Sequence, residues 1–250
     1  MPKISAGVLG TGYCVPERVL TNFDLEKMVQ TNDAWIVERT GIHERRIAAD
    51  GEPVSVLAQH AAEMALADAG VAAEELDLII MATLTSDRII PATACVLQDR
   101  LGAKHAAAFD LSAACSGFVY ASTVAVQFIT AGAYRRVLVI GGETLSKYVD
   151  WQDRNTCVLF GDGAGAAVYG PVEPGYGMLS FDLGSDGSGA DYLGIPASGS
   201  RCMITEETIA KRLNRIHMDG PEVFKFAVRA MPATLQRSME RAGITAADID

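Results

Sequence analysis

Cys115 is the side chain best placed for covalent chemistry. It lies in Phe109–Phe118, F-D-L-S-A-A-C-S-G-F, where an apolar run turns through small residues into a helix-period segment, Gly117–Ala131. That order predicts a thiol at or just before a first helical turn. Unpaired N–H groups and the helix dipole there favour a thiolate, the reactive form of cysteine. Ala113, Ala114 and Gly117 leave room for a substrate to approach. Composition alone also admits a second reading, a small thiol packed in the core.

Other chemistry-bearing residue types are scattered. The five cysteines (14, 95, 115, 157, 202) make no C-x-x-C pair and no disulfide framework, and a reducing cytoplasm is the expected compartment. The four histidines (43, 60, 105, 217) make no H-x-x-x-H pair, so no metal and no histidine catalyst is assigned. G-D-G-A-G (Gly161–Gly165) lacks phosphate-loop spacing and reads as a tight turn between two short strands within Cys157–Gly170. L-G-T-G-Y (Leu9–Tyr13) could be a degenerate dinucleotide loop, but it lacks the third glycine and an acidic ribose partner. Arg39, Arg45, Arg46 and Lys27 by themselves read as a solvated basic face.

At 250 residues and 49% hydrophobic content the chain can bury an extensive core. A net charge of −10 provides no attraction for nucleic acid or an anionic membrane. Leu111–Tyr134 carries no charge, but its Ser, Thr, Gln and Gly residues suit a helix inside a protein rather than one crossing a lipid bilayer.

Strand patterns at Ile4–Gly10, Leu76–Ala82, Ala106–Leu111 and Arg136–Gly141 alternate with helical patterns at Asn22–Val29, Val54–Ala69, Pro91–Leu101 and Gly117–Ala131. The alternation predicts an α/β fold with a largely parallel sheet. Two internal echoes suggest a duplicated half. Ala69–Asp77 (A-G-V-A-A-E-E-L-D) is matched by Ala242–Asp250 (A-G-I-T-A-A-D-I-D), and Leu9-Gly10-Thr11 by Leu183-Gly184-Ser185 at nearly the same offset.

The Cys115 motif, G-D-G-A-G-A-A (Gly161–Ala167) and T-N-D-A-W-I-V-E-R-T-G-I-H-E-R-R-I (Thr31–Ile47) together resemble the β-ketoacyl-acyl carrier protein synthase III family along the whole chain. The resemblance implies a thiolase-like fold of duplicated βαβαβ halves, 1–172 and 173–250, with the second half ending before the family's catalytic His and Asn. The chain as given is therefore expected not to complete a decarboxylative condensation. It implies that Cys115 takes an acyl group from an acyl-coenzyme A and passes it to malonyl-acyl carrier protein, with no permanently bound cofactor. It places Trp35 against the adenine, Thr31, Arg39 and Arg154 around the nucleotide, and the stretch from Met218 through Gly220 to Phe224 along the pantetheine arm.

It further implies a homodimer formed through Ala106–Leu111 and Asp87–Thr93, with Ile89 and Ile90 at the interface and Ile90 near the starter-acyl pocket. Related acyl transfer in secondary metabolism, a nucleotide-binding oxidoreductase and a non-catalytic fragment remain as other readings. Cys115 is expected to be the only readily alkylated cysteine.

Overall fold

A computed structural model describes residues 4–249. In chain order the elements are β1 (Ser5–Cys14), β2 (Val19–Thr21), α1 (Asn22–Leu25), α2 (Asp33–Thr40), β3 (Glu44–Arg46), α3 (Val54–Ala69), β4 (Leu78–Ala82), α4 (Thr93–Arg100), β5 (Ala107–Leu111), α5 (Gly117–Thr130), β6 (Val137–Thr144), α6 (Arg154–Cys157), β7 (Asp162–Val172), β8 (Leu193–Gly194), α7 (Glu206–Ala210), β9 (His217–Met218) and α8 (Gly220–Ala242). They form two compact units, each discontinuous in sequence. The first comprises Met1–Arg18, Arg46–Thr144 and Asp162–Leu179, and the second Val19–Arg45, Leu145–Gly161 and Ser180–Asp250. A division at 172/173 matches the end of β7, but two segments before it belong to the second unit.

The first unit is built on a five-stranded sheet ordered β1-β7-β6-β4-β5. β4 pairs parallel with β5 and β6, whereas β7 pairs antiparallel with β6 and β1. The sheet is thus mixed rather than largely parallel. Helices α4 and α5, packed into the sheet's core, cross over and bring β5 and β6 back parallel to β4, whereas the link to β7 runs through Leu145–Gly161 of the second unit and β7 runs the other way. G-D-G-A-G is not a turn: Asp162–Gly165 lie inside β7. The β6 ladder runs along Asp162–Gly165 and the β1 ladder reaches Ala164 and Gly165, and this pairing overrides the weak strand propensity of glycine.

β4, L-I-I-M-A, is buried at every position because both faces are covered. Ile79 and Met81 pack into the cluster containing Ala58, Ala61, Ala62 and Ala65 of α3. Leu78, Ile80 and Ala82 pack into the cluster containing Ala121, Ala125 and Ile129 of α5. The alanine stripe of α3 follows the helical period and lets β1 come close. A Cβ on Gly10 would lie 2.3 Å from Ala69 N, and one on Gly12 would lie 2.3 Å from Ala61 O. L-G-T-G-Y is therefore a strand pressed onto a helix, not a phosphate loop.

α3 has the bounds its pattern predicts and ends at Gly70, φ 62°. α4 begins two residues later than Pro91, where Asp110 accepts from Thr93 N at 2.7 Å and Ala94 N at 2.8 Å. A carboxylate at that end suits the exposed amides and the dipole. Among the described residues no helix is long and apolar enough to cross a membrane.

In the second unit, α1 is shorter than Asn22–Val29 because the chain tightens after Leu25 into i→i+3 bonds such as Met28 N to Leu25 O, 2.9 Å. α8 is capped by Asp219 and ends at Gly243, φ 71°. The echo at the helix exits is structural: each has a left-handed glycine followed by a 3-10 turn, Ala73–Glu75 after α3 and Ala246–Asp248 after α8. Asp250 lies outside the described residues. The other echo is not shared, since Leu9–Thr11 is strand and residues 183–185 are in no element. Among the described residues, 183–185 belong to none of the sheets.

Candidate active site

Cys115 occupies a 3-10 turn, Ala114–Ser116, that runs directly into α5, as the sequence predicts. Ala114 has φ 47°, in the left-handed region that costs a residue with a Cβ about 1 kcal/mol or more. This strained residue turns the chain out of β5 so that the thiol is exposed.

The thiol lines a cavity of about 500 Å³ in the first unit, with Phe118, Ala82, Gly141, Glu143, Gly165 and Tyr169 among its walls. Ala82 pairs with Gly141, and Gly141 with Gly165, so three neighbouring strands place a row of minimal side chains side by side. The row clears space on the face that carries α5. A Cβ on Gly141 would meet Phe118 Cδ2 at 3.2 Å. Gly165 of G-D-G-A-G thus serves the pocket as an open patch of strand.

Glu143 is a pocket residue that sequence reasoning missed. Its signal was present: a carboxylate interrupting the apolar run Val137–Thr144. The carboxylate accepts from Leu84 N at 2.7 Å, Thr85 Oγ1 at 2.6 Å and Thr83 Oγ1 at 3.4 Å. Burial pushes its pKa above the ordinary carboxylate value, against the pull of these hydrogen bonds. It ties the segment after β4 to β6, and Thr85 Oγ1 in turn accepts from Thr144 N at 2.8 Å.

Cys115 is not the only accessible thiol. Cys95 on α4 is also exposed, so accessibility by itself does not single out Cys115. The helical pattern around Cys95 does not show that it faces outward beside the sheet edge, where Sγ lies 3.7 Å from Ala108 O. Cys157 is buried, and desolvation pushes its thiol up to about 11.

A second cavity, about 770 Å³, lies wholly within the second unit. Its walls include Trp35, Arg39, Asn155, His217, Met218 and Gly220. Asn32 fixes the start of α2 by accepting from Trp35 N at 2.8 Å. The Arg39 guanidinium lies 4.5 Å and that of Arg154 5.0 Å from the Trp35 ring centroid. Two cations beside one indole suit an anionic aromatic ligand.

Three expected residues are not in this cavity's wall: Arg154, which lies over the Trp35 ring instead, Thr31 and Phe224. Thr31 is not in its wall, and its Oγ1 is buried without a hydrogen-bond partner. Phe224, on the first turn-and-a-half of α8, is 67% exposed and also outside the wall. Asp191, Asn155 and His217 line the cavity without having been singled out, because nothing local in their sequence marks them. Arg45, grouped with a solvated face, is in fact 5% exposed.

The description 3-oxoacyl-[acyl-carrier-protein] synthase III matches residues 109–187. The chain is 58% identical over 247 residues to a β-ketoacyl-[acyl-carrier-protein] synthase III of Desulfitobacterium hafniense, spanning 99% of this chain and 75% of that protein. It superposes with TM-score 0.88 on the crystal structure of the β-ketoacyl-[acyl carrier protein] synthase III of Thermus thermophilus, at 46% identity, covering 97% of this chain and 74% of the other. It also matches the priming β-ketosynthase of the R1128 polyketide biosynthetic pathway, with TM-score 0.87 and 34% identity, over 99% of this chain and 73% of that one. These likenesses displace the oxidoreductase reading and establish the thiolase-like α/β fold. The chain belongs to the β-ketoacyl-[acyl-carrier-protein] synthase III family, the acyltransferases that begin fatty acid synthesis.

Proposed function

We propose that Cys115 is the acyl acceptor and that the cavity beside Trp35 holds the nucleotide of an acyl-coenzyme A. In acyl transfer the Cys115 sulfur attacks the thioester carbonyl, a new carbon–sulfur bond forms, and coenzyme A leaves with its sulfur and takes up the proton. The oxyanion of the intermediate is met by the Cys115 backbone N–H. In the family's second step malonyl-acyl carrier protein loses carbon dioxide, its carbanion attacks the acyl carbon, and the Cys115 thiolate is released. The observation that carries this reading is the thiol exposed at the entry of α5 over the cleared row Ala82, Gly141 and Gly165. Trp35, Arg39 and Arg154 bind the adenine and phosphates, and Met218 and Gly220 flank the ligand.

The same reading includes a homodimer. β5 is the last strand of its sheet, and Ile89 and Ile90 are 90% and 80% exposed. Pairing that edge with its own copy across a two-fold axis satisfies the open ladder and covers both isoleucines. Five unpaired thiols suit a reducing compartment, and we place the protein in the cytoplasm.

Incubation with acetyl-coenzyme A, proteolysis and mass spectrometry test the acceptor. The expected result is one acetyl group on the peptide bearing Cys115, lost in Cys115→Ala. An acetyl group on another cysteine refutes the assignment. Calorimetry with coenzyme A tests the cavity: Trp35→Ala and Arg154→Ala should each weaken binding about tenfold, and unchanged affinity in both rejects it.

A further inference from the structure

Arg45 and Asn22 are buried in the second unit, outside its cavity wall, and Arg45 bonds the backbone of Val158, a residue of that wall. Arg45 is 5% exposed and Asn22 is 0% exposed. Arg45 Nη2 donates to Asn22 Oδ1 at 2.9 Å and to Val158 O at 3.1 Å, and Nη1 donates to Leu20 O at 3.3 Å. Asn22 Nδ2 donates to Asp33 Oδ1 at 2.8 Å and to Ile42 O at 2.7 Å. Asp33 opens α2, the helix carrying Trp35 and Arg39, and Val158 is the cap residue of α6, the helix carrying Arg154. One continuous chain of hydrogen bonds, buried at Arg45 and part-buried at Asp33, therefore joins the two helices that bring Arg154 to 5.0 Å from the Trp35 ring.

A guanidinium is costly to bury. Here it is met by neutral oxygens, and its Nε has no hydrogen-bond partner. A methionine-like apolar side chain would fill such a site without that penalty, and replacements of this kind are often neutral for stability. The planar fork provides what an apolar residue lacks, simultaneous directional bonds to two elements.

We propose that Arg45 and Asn22 are positioning residues for nucleotide binding, holding α2 and α6 at the spacing at which Trp35 and Arg154 act on one ligand. The inference rests on the reading of this cavity as the coenzyme A site. The fork registers the cap of α6 against β2 and α1, and Asn22 passes that register to the first residue of α2. Loss of either side chain lets the indole and the Arg154 guanidinium drift apart, and a ligand must then draw them together on binding.

Calorimetry of the full chain with coenzyme A tests this, using Arg45→Met, Asn22→Ala and each combined with Arg154→Ala. Each single variant is expected to weaken binding about tenfold, the scale of one lost bond to a charged group. In the Arg154→Ala background the further loss should shrink to about twofold or less, because the partner being positioned is gone. Iodoacetamide should still fail to label Cys157 on α6, which reports that the helix remains packed. Unchanged affinity in both singles, a full further loss in the Arg154→Ala background, or weak binding accompanied by Cys157 labelling each overturns the proposal. If the parent protein binds coenzyme A and Trp35→Ala weakens it, those failures fall on the positioning role alone. Absence of binding by the parent refutes the cavity's assignment and this inference with it.

Discussion

Replacing Glu143 by alanine strips three donors of their acceptor: Leu84 N at 2.7 Å, Thr85 Oγ1 at 2.6 Å and, more weakly, Thr83 Oγ1 at 3.4 Å. Each short bond to an ionised group contributes about 1.5–3 kcal/mol, and the third very little at that distance. Against this loss, the variant no longer buries a charge, and the side chain borders a cavity from which water can reach part of the gap. The net cost at pH 7 should be on the order of 2 kcal/mol.

Its pH dependence has a definite sign. Burial raises the folded pKa above the ordinary 4.5, so between these two values the folded state holds more protons than the unfolded state. The protonation-linked part of Glu143's contribution is full below pH 4.5 and is lost as pH rises through the folded pKa, leaving the hydrogen-bond part. The difference between parent and Glu143→Ala should therefore be larger at pH 5 than at pH 8. Urea unfolding followed by circular dichroism at several pH values measures both quantities. A loss under about 0.5 kcal/mol at every pH, or a difference that grows as pH rises, would refute the reasoning.

Four further outcomes rest on the packing. Gly12→Ala forces a Cβ to 2.3 Å from Ala61 O and 2.5 Å from Ala65 N, backbone atoms that cannot yield, and should cost about 3 kcal/mol or more. Gly163→Ala, whose nearest contact is 3.5 Å, should stay within about 1 kcal/mol in the same urea assay. Cys95 should be alkylated in dilute protein and protected as concentration rises, because α4 lies beside β5; labelling independent of concentration would speak against the dimer through that edge. Cys157, with its thiol pushed up to about 11, should resist iodoacetamide at pH 8 in folded protein and react once urea is added.

The features legible in the sequence are those that local rules govern. The alanine period of α3 and the glycine after it set that helix without reference to the rest of the chain. The turn of small residues before Gly117 places Cys115 at the entry of α5, and the A-G-x-x-x-x-x-x-D frame yields a glycine-capped helix exit wherever it occurs. Neighbouring residues and short periodic contacts determine all three.

Tertiary structure decided what depends on pairing and desolvation. The direction of β7, and with it the conversion of G-D-G-A-G from turn to strand, depends on partners found at Gly12 and Gly141. The row Ala82, Gly141 and Gly165 exists only once three strands are in register. Arg39 and Arg45 lie close in sequence, yet one faces a cavity and the other is buried. The difference is whether the fold supplies a fork of oxygens from Leu20, Asn22 and Val158, and no spacing along the chain encodes that.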